Sequence, residues 1–262
     1  MNKIILILII IIIYIKICEN QRNQGKIKLK SSDWYKEGHF ILAPINRWYS
    51  KKTIGIDTPF PNMLTYFPNH IILQNNWKII YDEALSIYKQ NKTTLIKNDM
   101  FFDKIADNKW KKFYIKWHSD ITNDAQKLCP KTSFLINSIP EITIAMFSVL
   151  EPGAKIIPHA GPFKGCIRYH LGLQCNKNAS ITVDGKQYTW KEGEDVLFDD
   201  TYVHHVTYSS ESFDEQPRII LFCDVKRKMK TCISNKISNI LINNLGKLTT
   251  RANDKQEKIT FT

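Results

Sequence analysis

No two of the six cysteines, at positions 18, 129, 166, 175, 223 and 232, form a CxxC pair, and their spacings match no zinc signature. That absence excludes a zinc ribbon and a redox dithiol, and the cysteines read as scattered reduced thiols rather than a disulfide framework. A basic helix, a zinc finger and an aromatic single-strand motif are also missing, so nucleic acid is not expected as a partner. Acidic residues are scarce, 25 against 37 Lys and Arg, which gives a net charge of +12. Ile, Lys and Asn are over-used together, as in an A/T-biased genome, and such a bias inflates lysine without selecting an anionic partner. No internal repeat is visible. What is present is apolar material: at 43% hydrophobic and 11% aromatic, 262 residues can bury the core of one domain with tails.

The N-terminus is the most apolar stretch. Ile4 to Ile17 is almost continuously hydrophobic and is broken by Lys16. The run is shorter than the ~20 residues of an ideal transmembrane helix, but Lys16 can extend it by snorkelling. The competing reading is the core of a cleavable signal peptide. Cleavage needs small residues, and Ile17-Cys18-Glu19-Asn20-Gln21 has no A-x-A-like pattern. The expectation is an uncleaved single-pass anchor in the membrane bilayer over 1–18, with a polar linker over 19–32. Lys3 precedes the run, whereas Lys16, Arg22, Lys26, Lys28 and Lys30 lie at or after its end, so the large C-terminal part is expected in the cytoplasm. The sequons at Asn91 and Asn178 are then chance matches.

Between 33 and 72, Pro44, Pro59, Pro61 and Pro68 interrupt any long helix. Asn76 to Tyr88 has helical spacing, with Asn76 as N-cap and Trp77, Ile80, Ala84, Leu85 and Tyr88 as a core-facing stripe. A short helix is expected over Asp124 to Cys129. From Ile142 the texture changes to short strands: 142–150, 168–173, 180–183, 187–190, 195–198, 203–208 and 218–225. Asp184-Gly185 marks a hairpin between two of them. Short strands at this spacing favour a jelly roll with flanking helices, a mainly β fold, within a domain spanning 33–225 whose core is about 142–225. The basic tail, 226–262, holds an amphipathic segment near Ile233 to Leu245 that suits either a packing helix or a membrane surface.

Three residues stand at an informative spacing. His159 follows Pro158 just after a strand and turn, His204 comes 45 residues later, and Arg218 comes 14 residues after that at the head of an apolar strand. A redox iron that activates O2 needs imidazoles on neighbouring strands and open positions. A dicarboxylate co-substrate needs a fixed cation, which Arg supplies as a bidentate fork. Spacing alone is only suggestive, because two histidines in a chain this long are more often surface or core groups than ligands.

The local words carry more. Ser148-Val149-Leu150-Glu151-Pro152-Gly153 leads to Pro158-His159-Ala160-Gly161-Pro162. Then follow Arg168-Tyr169-His170-Leu171-Gly172-Leu173, Trp190-Lys191-Glu192-Gly193, Phe198-Asp199-Asp200-Thr201-Tyr202-Val203-His204 and Arg218-Ile219-Ile220-Leu221-Phe222-Cys223-Asp224-Val225. This series resembles the aspartyl/asparaginyl β-hydroxylase family of Fe(II)/2-oxoglutarate dioxygenases. Within it the chain looks most like the bacterial lipid A acyl-chain 2-hydroxylases, through Phe40 to Asn46, Trp110 to Trp117 and Leu128 to Thr132.

The resemblance implies a double-stranded β-helix in which His159 and His204 ligate Fe(II). It implies that Arg218, with Ser148, holds the distal carboxylate of 2-oxoglutarate, and that Arg168, with His170, faces the keto-acid end. His205 is expected to point away from His204. Asp199 and Asp200 suit a turn or a supporting role better than ligation, although either could supply a carboxylate. One position departs from the His-x-Asp pattern that many such oxygenases use, because Gly161 stands where the carboxylate would be. That glycine resembles the animal aspartyl/asparaginyl hydroxylases, with two metal histidines and no carboxylate.

The implied cofactors are Fe(II), 2-oxoglutarate as co-substrate, and O2. The implied activity is hydroxylation of an unactivated C–H bond. A membrane-lipid acyl chain is the first substrate expectation, β-hydroxylation of Asp or Asn in a protein the second. A membrane-tethered scaffold without catalysis is the non-enzymatic alternative.

Overall fold

A computed structural model of the chain describes residue 13 and residues 42–55, 58–96, 105, 108–118, 120–209 and 215–247. The expected anchor over 1–18 and linker over 19–32 lie outside these residues, position 13 excepted. Among the described residues no helix is long and apolar enough to cross a membrane.

Eleven strands are described: β1 (Thr94–Leu95), β2 (Trp110–Trp117), β3 (Asp120–Ile121), β4 (Ile142–Leu150), β5 (Lys155–His159), β6 (Cys166–Gln174), β7 (Ala179–Val183), β8 (Lys186–Thr189), β9 (Asp195–Phe198), β10 (His204–Tyr208) and β11 (Arg218–Lys226). They form two antiparallel sheets. The larger has the order β1-β2-β4-β11-β6-β9, with β3 against β2, and the smaller has the order β5-β10-β7-β8. This is a jelly-roll-like sandwich, as expected. Asp184 and Gly185 both take positive φ, 50° and 75°, and turn the chain between β7 and β8. Two left-handed residues in a two-residue turn match the right-handed twist of the flanking strands.

Alternation along the strands divides the apolar residues into two cores. Phe113, Phe147, Tyr169 and Leu221 face outward and pack under helices, with Ile80, Ala84 and Ile136. Tyr114, Met146 and Phe222 face inward and meet Ile181, Val206 and Tyr208 of the smaller sheet. The outer layer is built from α1 (Ala43–Lys52), α2 (Met63–Tyr66), α3 (His70–Asn75), α4 (Trp77–Lys89), α5 (Asn123–Leu128), α6 (Pro130–Asn137) and α7 (Cys232–Lys247). In α4, Ile80, Ala84 and Ile87 are buried, while Trp77, Leu85 and Tyr88 pack partly buried against the same core. Asn76 precedes this helix as expected but makes no side-chain cap. Its amide donates instead to the carbonyl of Ile72, in the preceding helix.

The chain beyond β11 continues the fold. Met229 bridges Thr53, and the Ser238 hydroxyl hydrogen-bonds the Tyr49 hydroxyl at 3.0 Å, which docks α7 on α1. The helix α1 in turn holds the loop that leaves β5: Asn46 donates to the Pro162 carbonyl at 2.9 Å and accepts from the Lys164 amide at 2.8 Å.

Candidate metal centre

Strand register places the site. His159, last in β5, pairs directly with His204, first in β10. Both side chains point into the sandwich, and their ring centroids are 4.1 Å apart. His159 Nδ1 lies 2.8 Å from the Ile157 carbonyl and His204 Nδ1 lies 2.9 Å from the Tyr202 carbonyl. A carbonyl only accepts, so each Nδ1 carries the proton, and each Nε2 is left with a free lone pair. Burial, then the nearby His204, pushes the His159 pKa down to about 3. Burial likewise pushes His204 down to about 4. Two neutral imidazoles, each fixed through Nδ1 and side by side, are donors that a divalent metal can take. His205, its neighbour, is only half-buried, as expected for the other face of the strand.

The large sheet supplies the opposite wall. Across it, Ser148 is level with Ile220 and Gly172, Met146 with Phe222 and His170, and Ile144 with Asp224 and Arg168. Arg218 opens β11 on the same face, opposite Leu150. Antiparallel partners share a face, so Ser148, His170, Arg168 and Arg218 all project inward.

Arg218 is 2% exposed. Its guanidinium lies over the Trp190 ring, 4.7 Å from the centroid, and Nη2 donates to the Ser148 hydroxyl at 3.4 Å. No carboxylate pairs with it among the described residues, and burial lowers its pKa to about 10. Its Nε has no hydrogen-bond partner. Ser148 Oγ also accepts from Trp110 Nε1 at 2.9 Å. With two donors already on that oxygen, the hydroxyl proton remains to be given to a ligand.

His170 is buried between Trp190, Phe198 and Phe222, and neither ring nitrogen has a partner. Its pKa is pushed well down by burial and then by Arg218 and Arg168. Leaving such groups unpaired costs about 1–3 kcal/mol each, so the wall is organised for a polar guest.

Arg168 occupies the expected face, but its guanidinium is engaged. Nη2 pairs with Asp200 at 2.7 Å, Nε pairs with Asp224 at 2.7 Å, and its plane covers the Phe222 ring at 4.2 Å. It serves first to neutralise those two carboxylates. The neighbouring Asp199 is fully buried, pairs with Arg227, and accepts from the Thr201 amide and hydroxyl. It is a turn residue.

The geometry also accounts for Gly161. Its amide donates to the Asp200 carbonyl at 2.7 Å, and a Cβ at 161 would stand 2.3 Å from Asp200 Oδ2. The Asp200 carboxylate fills the space that a side chain at 161 would need. No group of three or more His, Cys, Asp or Glu stands at metal-holding geometry among the described residues. His159 and His204 stand together there, with Asp200 nearby and tied to Arg168.

The Trp110–Ser148 contact and the Asp200–Arg168–Asp224 chain were not predicted from sequence. Asp224 had a visible signal: it lies six residues after Arg218 in β11, and the even spacing puts both on one face.

Two imidazoles on paired strands of an antiparallel sandwich thus face a buried arginine that has no carboxylate partner among the described residues. The chain belongs to the aspartyl/asparaginyl β-hydroxylase family, whose pattern matches residues 74–228. It is 34% identical over 129 residues to an ornithine lipid ester-linked acyl 2-hydroxylase of Rhizobium tropici, covering 48% of this chain and 44% of that protein. It is 32% identical over 159 residues to the human aspartyl/asparaginyl β-hydroxylase, covering 58% of this chain and 20% of that one. The chain thus matches less than half the length of either relative. Among solved structures, a Pseudomonas putida prolyl-4-hydroxylase overlaps 59% of this chain and 88% of its own, with 13% identity and a TM-score of 0.37.

Proposed function

We propose that this protein is an Fe(II)- and 2-oxoglutarate-dependent hydroxylase acting on an acyl chain of a membrane lipid. The observation that carries the reading is Arg218, a buried guanidinium without a carboxylate, on the wall facing His159 and His204. An uncompensated buried cation is costly, and a bound dicarboxylate removes the cost.

The residues present fit the implied groups. His159 and His204 would hold the metal through Nε2. Arg218 and the Ser148 proton would take the distal carboxylate of 2-oxoglutarate. His170 offers two unpaired nitrogens between them. Arg168 adds positive charge near the keto-acid end while holding Asp200 in place. When bound, iron with 2-oxoglutarate and O2 supplies the oxidising power that places a hydroxyl on an unactivated C–H bond, with succinate and CO2 as coproducts. The aromatic lining of Trp190, Phe198 and Phe222 keeps water from the reacting centre.

The likeness to an acyl 2-hydroxylase and the expected N-terminal anchor favour a lipid substrate. Gly161 favours the second reading, β-hydroxylation of Asp or Asn in a protein. The test is succinate release by the full-length chain with Fe(II), 2-oxoglutarate and O2. Candidates are ester-linked and amide-linked acyl lipids, and Asp- or Asn-containing peptides. Release stimulated by lipid and by no peptide supports the proposal, and stimulation by peptide alone assigns the second reading. Absence of metal binding would make the protein a scaffold.

A further inference from the structure

The helix α7 is amphipathic in the reverse sense. Its protein-facing positions are Ser234, Ser238 and Ile242, buried to 2–3% exposure, and two of the three are serines. Both serine hydroxyls are used. Ser234 bonds with Thr231 at the start of the helix, and Ser238 bonds with Tyr49 of α1. The isoleucines at 233, 237 and 240 point the other way and are 73%, 41% and 60% exposed. Positions 233, 237 and 240 form one stripe on a helix. A single exposed isoleucine is ordinary, but a continuous stripe is not.

The two segments that build this face carry charge of one sign. Neither 42–55 nor 226–253 contains an Asp or Glu. Exposed Lys228, Lys230 and Lys236 lie on or just before α7. Exposed Lys51 and Lys52 join them from α1, because Lys230 donates from its amide to the Lys52 carbonyl at 2.8 Å and from Nζ to the Lys51 carbonyl at 3.0 Å. The result is an apolar stripe beside a group of exposed lysines, carried on two segments that contain no acidic residue.

Strand register places this face at one end of the sandwich. The end of β11 and the start of β6 lie there, since Lys226 pairs with Cys166. The ends of β5 and β7 and the start of β10 carry His159, Val183 and His204 in register. The loop from His159 through Lys164 bonds α1, and the Phe163 ring meets the Tyr49 ring at 5.3 Å. Val203, one residue before His204, is 50% exposed.

We propose that α7 and the lysines of α1 form a docking surface for an anionic lipid bilayer, which lies against the end of the sandwich that carries His159 and His204. The isoleucines enter the headgroup–acyl boundary, and Lys51, Lys52, Lys228, Lys230 and Lys236 pair with lipid phosphates. The surface is separate from the expected N-terminal anchor. It stands whichever substrate the two-histidine site oxidises.

The test is amine footprinting of the full-length chain with a neutral acetylating reagent. One set of vesicles is phosphatidylcholine and the other is phosphatidylcholine with phosphatidylglycerol. Any attachment through the N-terminal run is then common to both arms. Lys51, Lys52, Lys228, Lys230 and Lys236 should react about threefold or more slowly on the anionic vesicles, as expected for headgroup burial. Lys177 and Lys191, beyond the opposite ends of the strands, should react equally on both. The double variant Ile233→Asn/Ile240→Asn changes exposed positions only; it should keep the wild-type melting temperature and lose the protection. Equal footprints on both vesicles would overturn the proposal, as would protection retained in the double variant. Protection without vesicles that rises with protein concentration would assign the face to a second copy of the chain. Concentration-independent protection without vesicles would assign it to another segment of this chain. Either result overturns the bilayer assignment.

Discussion

Arg218 sets the behaviour of the site at the level of a single residue. A buried cation with no carboxylate costs stability until an anion arrives. Arg218→Met should therefore stabilise the ligand-free protein, by about 1 kcal/mol or more in urea denaturation, while weakening 2-oxoglutarate binding by tenfold or more. Arg218→Lys keeps the charge but not the planar fork, and it should recover only part of that affinity. Asp224 gives a pH prediction. Burial raises its pKa to about 6, against the opposing pull of Arg168. The folded state therefore holds this proton more tightly than the unfolded chain does. The associated stability is fully present below about pH 4 and is lost as the pH rises through about 6. Asp224→Asn removes that titration, so the stability of wild type relative to the variant should fall between pH 4.5 and 7. A constant difference across that range would contradict the assigned shift. Arg218 was legible in the sequence because a charge at the head of an apolar strand needs a reason. The Arg168 ion pairs were not, because Asp200 and Asp224 lie 32 and 56 residues away along the chain and meet Arg168 only through register.

Among the elements, the junction of β5 with the β9–β10 turn matters most. Gly161 reads in sequence as a missing carboxylate, whereas the structure gives it a steric reason. The Asp200 carboxylate stands where a side chain at 161 would go. Gly161→Asp should therefore fail to create a third metal ligand. Overpacking should lower stability by about 1–3 kcal/mol, and the second carboxylate would repel Asp200. The double change Gly161→Asp/Asp200→Gly frees that space and should recover much of the loss. Thermal denaturation of the two variants decides, and a single variant as stable as wild type would refute the packing argument. Legibility varied among elements for similar local reasons. Alternation and a two-residue turn marked β7 and β8, and a 3.6-residue stripe marked α4. The strand β5 escaped because Pro158 sits inside it, and β2 escaped because Lys111, Lys112 and Lys116 break its apolar pattern. Lys112 is nonetheless buried, with its ammonium over the Tyr114 ring at 4.5 Å. Tertiary packing, not local pattern, accommodates it.

For the whole molecule, the two sheets contribute unlike halves of one site. The smaller sheet carries the imidazoles, and the larger carries the arginine, the serine and the third histidine. Under the proposed function, 2-oxoglutarate bound with the metal should then stabilise the fold, because it would reach the imidazoles' metal on one sheet and Arg218 on the other. At a hundredfold excess over Kd a ligand adds about 2.7 kcal/mol. The central claim is tested most directly by anaerobic titration of Mn(II), as a redox-inert substitute for Fe(II), and of 2-oxoglutarate. The proteins to compare are wild type, His159→Ala, His204→Ala and Arg218→Met. The account predicts that either histidine variant loses the metal and with it the co-substrate, while Arg218→Met keeps the metal and loses 2-oxoglutarate. Metal binding unchanged in both histidine variants, or 2-oxoglutarate affinity unchanged in Arg218→Met, would contradict it.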